Sequence, residues 1–410
     1  MGAVNIAADW VITAAGPLRD AWVTVGDGAI EWVGKAGARD APPADVVALG
    51  HGVLMPGLVN AHGHLELSHL AGRIDPARGF VDWVEQLVAA RAGAAAEEEV
   101  DAGIARGIHE AAATGTAAIG DVSNTLRSVA PLAGSSLRAV VFHELIGWDP
   151  AAAPRILADA ERRLNEVGGP RPAPNVEVRL AAHAPHSVSA ELMRALSPHG
   201  GPAAIHLAES REESAFLATG EGEWRAFLGR RGLGHVAFAG SGRSAVGYLD
   251  GLGALHRGTL CAHCVQVDAG DCRLLAARGA AVALCPRSNR TLGVGRAPLE
   301  DLLAAGVLCA LGTDSLASAP SLDVLQEAAA LHREWPAVPA ARIMRMATID
   351  GARALGLHGI GEIAVGRAAA LAFAPGPAAL DDPQAFLVSG EAAARPVAVA
   401  GGPRPIAVGR

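Results

Sequence analysis

The sequence predicts an α/β protein, built as a (β/α)8 barrel with a small β-sandwich domain that the N- and C-terminal segments form together. Its 410 residues are too many for one ordinary core and suit a large barrel with a small appended domain. Between residues 55 and 358, apolar runs alternate with alanine-rich stretches, which is typical of parallel β-α units. Residues 1–54 and 359–410 carry short apolar runs broken by glycine and proline, which predicts the small β domain.

Eight strand-like apolar runs lie in or at the edge of the barrel region, the number that a closed (β/α)8 barrel requires. They are residues 52–61, 116–123, 137–147, 176–183, 202–207, 259–264, 280–285 and 307–312. Active sites of such barrels are built at the carboxyl ends of the strands. The polar residues that end these runs are therefore the first candidates for function.

The first run ends in two histidines that are separated by a single residue. His62 and His64 follow a stretch rich in valine and leucine. Side chains alternate across a strand with a period of two, so both imidazoles leave the same face and can bind one metal ion. Taken alone, the pair is also compatible with packing or with chance.

Three later runs also end in polar side chains. The fifth run contains His206 and is followed by Glu209, the sixth contains His263, and the eighth is followed by Asp314 and Ser315. A lone histidine after an apolar run is more often a satisfied core residue than a ligand. Together with the first histidine pair, however, these strand ends supply three imidazoles and a carboxylate, with His263 to spare. Such a set, with one open position, is typical of a catalytic site for zinc or a similar divalent metal.

Composition and charge disfavour several other kinds of protein. The net charge of −8 and the lack of a basic cluster argue against a nucleic-acid partner. No uncharged apolar run reaches the roughly 18 residues of a membrane span, and the N-terminal residues show no secretory signal. Five cysteines suit a reducing cytoplasm, and Cys261 and Cys264 lack the second pair of a structural zinc site. The sequence therefore predicts a cytoplasmic protein with a small-molecule partner, and it leaves monomer and homodimer open.

The order of these strand-end residues resembles that of the amidohydrolase superfamily of metal-dependent barrels. Three framing motifs agree with this resemblance, which covers nearly the whole chain and includes a split β domain. The motifs are Pro-Gly-Leu-Val-Asn-Ala-His at 56–62, Leu-Gly-Thr-Asp-Ser at 311–315 and Met-Ala-Thr-Ile-Asp-Gly-Ala-Arg-Ala-Leu-Gly-Leu at 346–357.

The resemblance implies one divalent metal ion, with zinc expected and iron or manganese as alternatives. Members with two metals commonly bridge them with a carboxylated lysine on the fourth barrel strand. The only lysine of this chain, Lys35, lies outside the barrel region. The implied metal ligands are His62, His64, His206 and Asp314.

The segment His206-Leu-Ala-Glu209 resembles the deaminase branch of the superfamily, in which the glutamate moves protons beside the metal. The catalytic residues implied by this resemblance are Glu209, His263 and Asp314. The implied reaction is hydrolytic deamination of an aminopurine nucleoside, with release of ammonia. Asp314 would accept a proton from the attacking water, and Glu209 would protonate the ring nitrogen. His263 would orient the attacking oxygen and stabilise its charge.

Two further segments resemble the substrate-binding parts of purine deaminases. Leu180-Ala-Ala-His183 resembles a strand-four segment of enzymes that act on S-adenosylhomocysteine or guanine, and Phe80-Val-Asp-Trp83-Val-Glu85 resembles a helix whose glutamate holds ribose hydroxyls. The resemblance therefore implies substrate contacts by Trp83, Glu85 and His183. An amphipathic helix with its apolar side inward is the alternative for Trp83 and Glu85.

Finer features resemble the aminodeoxyfutalosine deaminases of the alternative menaquinone route. They are Cys285-Pro-Arg287-Ser-Asn289, the segment after the fifth run, and the stretch that carries Glu66. The substrate of those enzymes is an adenosine with a benzoate on its 5′ side. The resemblance implies that Arg287 binds the carboxylate, since a guanidinium group matches it with two hydrogen bonds. Glu66 and Ser315 are implied as further substrate contacts, and a surface or helix-capping role is the alternative for Arg287.

Two other functions stay open. One is another hydrolase of the same superfamily, such as a methylthioadenosine/S-adenosylhomocysteine deaminase, a guanine deaminase or a triazine hydrolase, whose metal ligands are nearly the same. The other is a catalytically inactive barrel kept as a binding protein, which the complete set of metal ligands disfavours.

Overall fold

The structure is a computed structural model that describes residues 3–35, 46–92, 97–196, 200–201 and 203–398. Some of the sequence predictions extend beyond these ranges. The predicted small domain includes residues 1–2, 36–45 and 399–410, and the predicted barrel includes residues 93–96, 197–199 and 202, all of which lie outside the described residues.

Fifteen strands lie within the described residues, and they form three sheets. In chain order they are β1 (Val4–Thr13), β2 (Gly16–Gly26), β3 (Ala29–Lys35), β4 (Val46–Ala48), β5 (Gly52–Pro56), β6 (Leu58–Gly63), β7 (Thr116–Ser123), β8 (Arg138–Leu145), β9 (Val176–Ala182), β10 (Ala204–Leu207), β11 (Leu260–His263), β12 (Ala281–Leu284), β13 (Leu308–Leu311), β14 (Leu371–Pro375) and β15 (Arg395–Pro396).

The same part of the chain contains fifteen α-helices and two short 3-10 helices, Leu65–Leu70 and Pro150–Ala152. The α-helices are α1 (Phe80–Ala92), α2 (Glu97–Ala113), α3 (Val129–Ala133), α4 (Ala153–Glu166), α5 (Ala190–Ala195), α6 (Arg211–Thr219), α7 (Glu223–Arg230), α8 (Ala245–Gly251), α9 (Ala269–Arg278), α10 (Pro286–Thr291), α11 (Leu299–Ala304), α12 (Val324–Glu334), α13 (Ala340–Met346), α14 (Ile349–Ala354) and α15 (Pro383–Leu387). Within the described ranges, no helix combines the length and the apolar character needed to cross a membrane.

The first sheet joins the two ends of the chain. β1 pairs antiparallel with β2 and parallel with β4 and β5, and β5 pairs antiparallel with β14 near the C-terminus. The strand order is β15-β14-β5-β1-β2-β3, with β4 beside β1. The N- and C-terminal segments therefore meet in one seven-stranded sheet, and the predicted β-sandwich stays a prediction.

Gly57 divides the first predicted apolar run into two strands that belong to different sheets. The prediction of one strand over residues 52–61 is therefore wrong, because β5 pairs with β1 and β14 whereas β6 pairs with β7. A Cβ atom at Gly57 would lie 2.5 Å from the Cβ of Ala117, so the turn between the strands has no room for a larger residue. Both halves of the run are apolar, and Pro56-Gly57 was the signal of a break.

The other two sheets are parallel and four-stranded, with the orders β6-β7-β8-β9 and β10-β11-β12-β13. The other seven predicted runs each contain one of the strands β7 to β13. This arrangement confirms the α/β class with parallel strands. Hydrogen bonds from His206 N to His183 O (2.8 Å) and from Asp314 N to His62 O (3.0 Å) link the two sheets at both seams. Closure of all eight strands into a barrel stays a prediction, and these bonds support it.

The parallel strands are buried on both faces, as their continuous apolar sequences require. In β8, for example, Val140, Val141 and Phe142 are consecutive and at most 1% exposed. The flanking helices bury only one side: in α2 the buried residues include Ile104, Ile108 and Ala111, which are spaced by three or four positions. This packing fixes the carboxyl ends of the strands, where the polar residues lie.

Candidate active site

Three histidines converge at the carboxyl ends of β6 and β10. His62 lies at the end of β6, His64 follows that strand, and His206 lies in β10. The Nε2 atoms of His64 and His206 are 3.1 Å apart, and one ring nitrogen from each of the three histidines lies within 4.8 Å of the other two. The two strands thus bring together side chains that are more than 140 residues apart in sequence.

Asp314 adds a carboxylate to this cluster. Its Oδ1 atom lies 3.5 Å from His64 Nε2 and 3.9 Å from His62 Nε2. The other oxygen, Oδ2, accepts hydrogen bonds from the hydroxyls of Ser288 (2.5 Å) and Ser318 (2.9 Å), which turns Oδ1 towards the histidines. Burial alone would raise the pKa of Asp314, but the neighbouring histidines and the bond from Ser288 outweigh burial and hold the pKa below its ordinary value.

The donor set fits a divalent metal ion. His62 Nε2 is buried and has no hydrogen-bond partner among the described residues. Burial, and then the neighbouring histidines, hold the pKa of His62 well below its ordinary value, and burial also lowers the pKa of His64. Metals bind the neutral imidazole, so these histidines are in the protonation state that binding needs. Three imidazole nitrogens and one carboxylate oxygen leave a position open, as in catalytic zinc sites.

The orientation of His206 is set by its other ring nitrogen. Nδ1 lies 2.9 Å from the carbonyl oxygen of His183 and 3.4 Å from Oε1 of Glu144. A proton on Nδ1 that is donated to this carbonyl leaves the lone pair of Nε2 directed at the cluster. Sequence reasoning missed Glu144, although a charged residue within the apolar run 137–147 was a signal for it.

Glu209 and His263 form a second pair beside the cluster. Glu209 Oε1 lies 3.6 Å from His263 Nε2, and the other ring nitrogen of His263, Nδ1, lies 2.9 Å from Asn289 Oδ1. Burial raises the pKa of Glu209 to about 8 and lowers the pKa of His263. At neutral pH the glutamic acid therefore carries its proton and the imidazole does not, so Glu209 is suited to donate a proton.

Most of these residues line one cavity of about 160 Å³, and His62 lies behind its wall, outside the lining. Its polar wall contains His64, His183, His206, Glu209, His263, Asp314 and Ser315, and its aromatic wall contains Phe80, Trp83, Trp224 and Phe227. Of the sequence-predicted substrate contacts, Trp83, His183 and Ser315 thus lie in the cavity wall. The ring of Trp83 stacks on that of Phe80 with the centroids 6.4 Å apart. Trp224 and Phe227 were not predicted, because they lie on α7, outside every motif.

A second chamber of about 700 Å³ adjoins this cavity and shares Val88, Arg91, Glu144 and Ile146 with it. Its wall contains four arginines: Arg91, Arg155, Arg163 and Arg231. Arg163 forms an ion pair of 2.7 Å with Asp159. For the other three, no carboxylate of the described chain lies within ion-pair distance of the guanidinium group. The same wall contains the carboxylates of Glu144 and Asp159, so the four arginines outnumber the acidic residues of the chamber.

Arg287, the predicted partner of a substrate carboxylate, lines neither chamber. Its Nε donates to Glu327 Oε1 at 2.6 Å, its backbone N–H donates to the other oxygen of Glu327 at 3.1 Å, and its terminal nitrogens donate to Ser321. The guanidinium group is thus occupied by a carboxylate of the protein itself. These contacts join α10 to α12, and the role of Arg287 in substrate binding stays a prediction.

Glu85 and Glu66 also lie outside both chambers. Glu85 forms an ion pair with Arg230, and its side chain is 37% exposed, which agrees with the amphipathic-helix alternative. The carboxylate of Glu66 accepts hydrogen bonds from the hydroxyls of Ser123 and Thr125, so it holds the loop after β7. Both glutamates thus have partners within the protein, and their substrate roles stay predictions.

Comparisons with known proteins agree with this geometry. Residues 53–399 match the amidohydrolase family. A 5-methylthioadenosine/S-adenosylhomocysteine deaminase of Nitratidesulfovibrio vulgaris is 33% identical over 368 residues, which are 85% of this chain and 78% of that protein.

Two solved structures are similar over almost the whole chain. Helicobacter pylori aminofutalosine deaminase in complex with methylthio-coformycin superposes with a TM-score of 0.83 and 25% identity, over 98% of this chain and 100% of that one. An adenosine deaminase of Xanthomonas campestris with bound zinc has a TM-score of 0.79 and 25% identity, over 99% and 94% of the two chains.

Proposed function

Because this chain belongs to the amidohydrolase family, we propose that it is a metal-dependent deaminase whose substrate is 6-amino-6-deoxyfutalosine, an intermediate of menaquinone biosynthesis. The similar proteins support the activity class, which is that of a hydrolase acting on a carbon–nitrogen bond of an adenosine-like nucleoside. The main support for the proposal is that Glu209 and His263 lie at the same cavity as the cluster formed by the three histidines and Asp314. We also propose a cytoplasmic location, as the cysteine content predicts.

The metal site of the proposal consists of His62, His64, His206 and Asp314. These residues would hold a divalent metal ion, which would supply Lewis-acid activation of the attacking water at neutral pH. We propose zinc, because the similar adenosine deaminase of Xanthomonas campestris contains zinc, and iron and manganese remain alternatives.

The proton transfers fall to residues on either side of this site. Asp314 Oδ1, the carboxylate oxygen without a serine partner, accepts the proton of the attacking water. Glu209, protonated at neutral pH because burial raises its pKa to about 8, donates a proton to the ring nitrogen beside the amino-bearing carbon. That proton makes the aromatic carbon electrophilic. His263, whose Nδ1 atom lies 2.9 Å from the amide oxygen of Asn289, orients the attacking oxygen through its other ring nitrogen, Nε2.

The aromatic wall of the cavity suits the purine ring. Trp83 and Phe80 on α1 and Trp224 on α7 line the cavity together, and Phe80 meets Trp224 edge to face with the ring centroids 6.2 Å apart. A planar base that packs against this wall would gain aromatic contacts. His183 lies beside the cluster, and burial lowers its pKa to about 4, so its neutral ring can exchange hydrogen bonds with a substrate. These contacts favour a nucleoside over a small aliphatic amide.

The arginine-lined chamber supports a substrate whose 5′ side carries an anion. Arg91 lines both the cavity and the chamber, and its charge contributes to the lowered pKa of His183. We therefore propose that Arg91, with Arg155 and Arg231, takes the carboxylate role that the sequence assigned to Arg287. A charge-assisted hydrogen bond of this kind contributes about 1.5–3 kcal/mol.

The runner-up function is deamination of 5′-methylthioadenosine or S-adenosylhomocysteine, which the name of the Nitratidesulfovibrio relative favours. Such an enzyme would use the same metal site and the same proton transfers. Only the group at the 5′ position separates the two functions, and that group would lie in the second chamber.

A panel of substrates tests the proposed function. Ammonia release is measured with 6-amino-6-deoxyfutalosine, 5′-methylthioadenosine, S-adenosylhomocysteine, guanine and a triazine, before and after chelation and re-addition of zinc. We expect activity on adenosine derivatives that disappears on chelation and returns with zinc. Full activity of metal-free protein would overturn the mechanism, and preference for guanine or a triazine would overturn the nucleoside assignment.

The anion assignment has its own test in Arg91→Met. This change should lower kcat/KM for the carboxylate substrate by roughly 10- to 150-fold and leave 5′-methylthioadenosine nearly unaffected. Arg230→Met is the matched control, because Arg230 is exposed and pairs with Glu85 outside both chambers. Equal losses on both substrates would show that Arg91 does not recognise the anion.

A further inference from the structure

Glu213, on the first turn of α6, holds the main chain of the segment that carries Glu209. Its Oε1 atom accepts a hydrogen bond from the N–H of Ala208 (3.0 Å), and its Oε2 atom accepts one from the N–H of Glu209 (2.9 Å). The side chain is completely buried. One carboxyl group thus binds two consecutive backbone amides, the second of which belongs to the residue proposed as the proton donor.

The segment that Glu213 holds is strained. Ala208 has a φ angle of 51°, a left-handed conformation that costs a residue with a Cβ atom on the order of 1–2 kcal/mol. The carbonyl oxygen of Ala208 accepts a hydrogen bond from the N–H of Gln266 at 2.7 Å. The turn is therefore fixed on both sides, and it aims Glu209 into the cavity towards His263 rather than along the strand direction.

Ordinary helix capping does not account for these contacts. In a capping box, the glutamate at the third helical position returns to the N–H of the capping residue itself, which is Ser210 in α6. Glu213 occupies that third position, and Ser210 does accept its N–H at 3.2 Å. The carboxylate, however, reaches past the capping residue to the two amides before it, outside the helix.

We infer that Glu213 is a positioning residue, which fixes the backbone of Ala208 and Glu209 so that the carboxyl group of Glu209 meets the substrate and His263. This inference rests on the proposed function, since it gives Glu209 the role of proton donor. It assigns Glu213 no contact with the substrate, because Glu213 lines neither chamber.

The test is Glu213→Gln, which keeps the size of the side chain but leaves only one oxygen to accept hydrogen bonds. A misplacement of about 1 Å costs on the order of 10²-fold in rate, so kcat should fall by roughly 10- to 100-fold. KM and the bound zinc per chain should stay unchanged, because the cavity walls and the metal ligands are intact. Glu212→Gln, on the same helical turn, is the matched control and should keep wild-type kcat.

A double-mutant cycle with Glu209→Gln separates positioning from a general structural effect. If Glu213 acts through Glu209, adding Glu213→Gln to Glu209→Gln should change kcat by less than about 2-fold. An equal loss in both backgrounds, wild-type kcat in the single variant, or loss of zinc would each overturn the inference. Wild-type turnover of Glu209→Gln alone would instead overturn the proposed function.

If Glu213→Gln does not fold, Glu213→Asp takes its place under the same criteria. Aspartate keeps the charge but is shorter by one methylene group, so its carboxylate cannot reach both amides. A folded Glu213→Asp variant with wild-type kcat would overturn the inference as clearly as the glutamine variant.

Discussion

Glu209 is the residue whose proposed chemistry depends most directly on burial. Its carboxyl group is 6% exposed, faces His263, and has a pKa raised to about 8 by the loss of contact with water. An acid with a raised pKa keeps its proton at neutral pH and loses it as the pH rises through that value. Burial disfavours the ionised form of Glu209, and it therefore keeps a proton on this residue that can be donated to the substrate.

We expect Glu209→Gln to keep its metal and to lower turnover by a factor on the order of 10² to 10⁴, the range for a lost general acid. In the wild-type enzyme, kcat should fall as the pH rises through about 8, because the protonated form is the active one. The measurement is a pH profile of kcat with zinc content determined in parallel. If the alkaline fall persists unchanged in Glu209→Gln, another group is responsible for it.

For single residues, the sequence indicated the polar side chains that end strands, whereas it could not show contacts with a distant partner. The three metal-type histidines and Asp314 follow apolar runs, so their convergence could be inferred from strand geometry. Arg287 instead has its partner, Glu327, 40 residues further along the chain on another helix. No local pattern shows such a pair, and the arginines of the second chamber lie on α1 and α4 or directly after α7, outside the residues of every motif.

Helices α10 and α12 are joined by the ion pair of Arg287 and Glu327, which are 10% and 0% exposed. We expect Arg287→Met to lower the free energy of unfolding by about 3–5 kcal/mol, since it leaves a buried carboxylate without its partner. Urea unfolding measures this loss. The double variant Arg287→Met/Glu327→Leu should recover most of it, because both charges are then removed.

The Arg287→Met variant also distinguishes a structural role of Arg287 from a role in binding the substrate carboxylate. Per folded molecule, Arg287→Met should have equal effects on carboxylate and neutral substrates, because Arg287 lines neither chamber. A selective loss on the carboxylate substrate would restore Arg287 as its ligand.

Gly312, which follows β13, permits the close approach of that strand to the first metal-type histidine. A Cβ atom there would lie 2.7 Å from the Cβ of His62 and 2.8 Å from its carbonyl oxygen. Gly312→Ala should therefore displace His62 and weaken zinc binding by roughly 10- to 100-fold, the range seen when the support of a ligand is lost. Chelator competition measures it. Gly134→Ala is the control, because its added methyl group would meet nothing closer than 3.7 Å.

The strand elements themselves were largely visible in the sequence, because buried parallel strands are continuous apolar runs bounded by polar ends. The prediction of a single strand for the first apolar run was wrong for the same reason. β5 and β6 are both fully buried, so hydrophobicity alone could not show that Gly57 sends them into different sheets. Contacts between distant segments decide which strands pair, and the hydrophobic pattern of a single segment does not show its partner.

At the scale of the whole molecule, the sheet formed by both chain ends is continuous with the first strand of the site. Only Gly57 separates β5 from β6, and its N–H donates to the carbonyl oxygen of Ala370 just before β14 at 2.8 Å. The two ends of the chain are therefore tied to the base of the strand that carries His62. Unfolding of this seven-stranded sheet should therefore also disturb the cluster of the three histidines and Asp314.

Phe373→Ala tests this coupling, because Phe373 lies in β14 and is 1% exposed. The change should cost about 3–5 kcal/mol by leaving a cavity in the core of the small sheet. Thermal unfolding followed by circular dichroism and by zinc release should shift together to a lower temperature. Val365→Ala, at a residue 64% exposed, should shift neither. Zinc release that stays at the wild-type temperature would show that the two parts unfold independently.

The adjoining chambers have a consequence for how such an enzyme can change during evolution. The proposed reacting groups lie at strand ends, whereas the wall of the second chamber comes in part from α1, α4 and α7. If the second chamber takes the 5′ group, as we propose, substitutions on these helices would alter which 5′ group is accepted and would leave the residues at the strand ends in place. A lineage of this kind would acquire new substrates through a few mutations in helices, without passing through inactive ancestors. The same separation would give a protein engineer a region for mutagenesis that lies apart from the reacting groups.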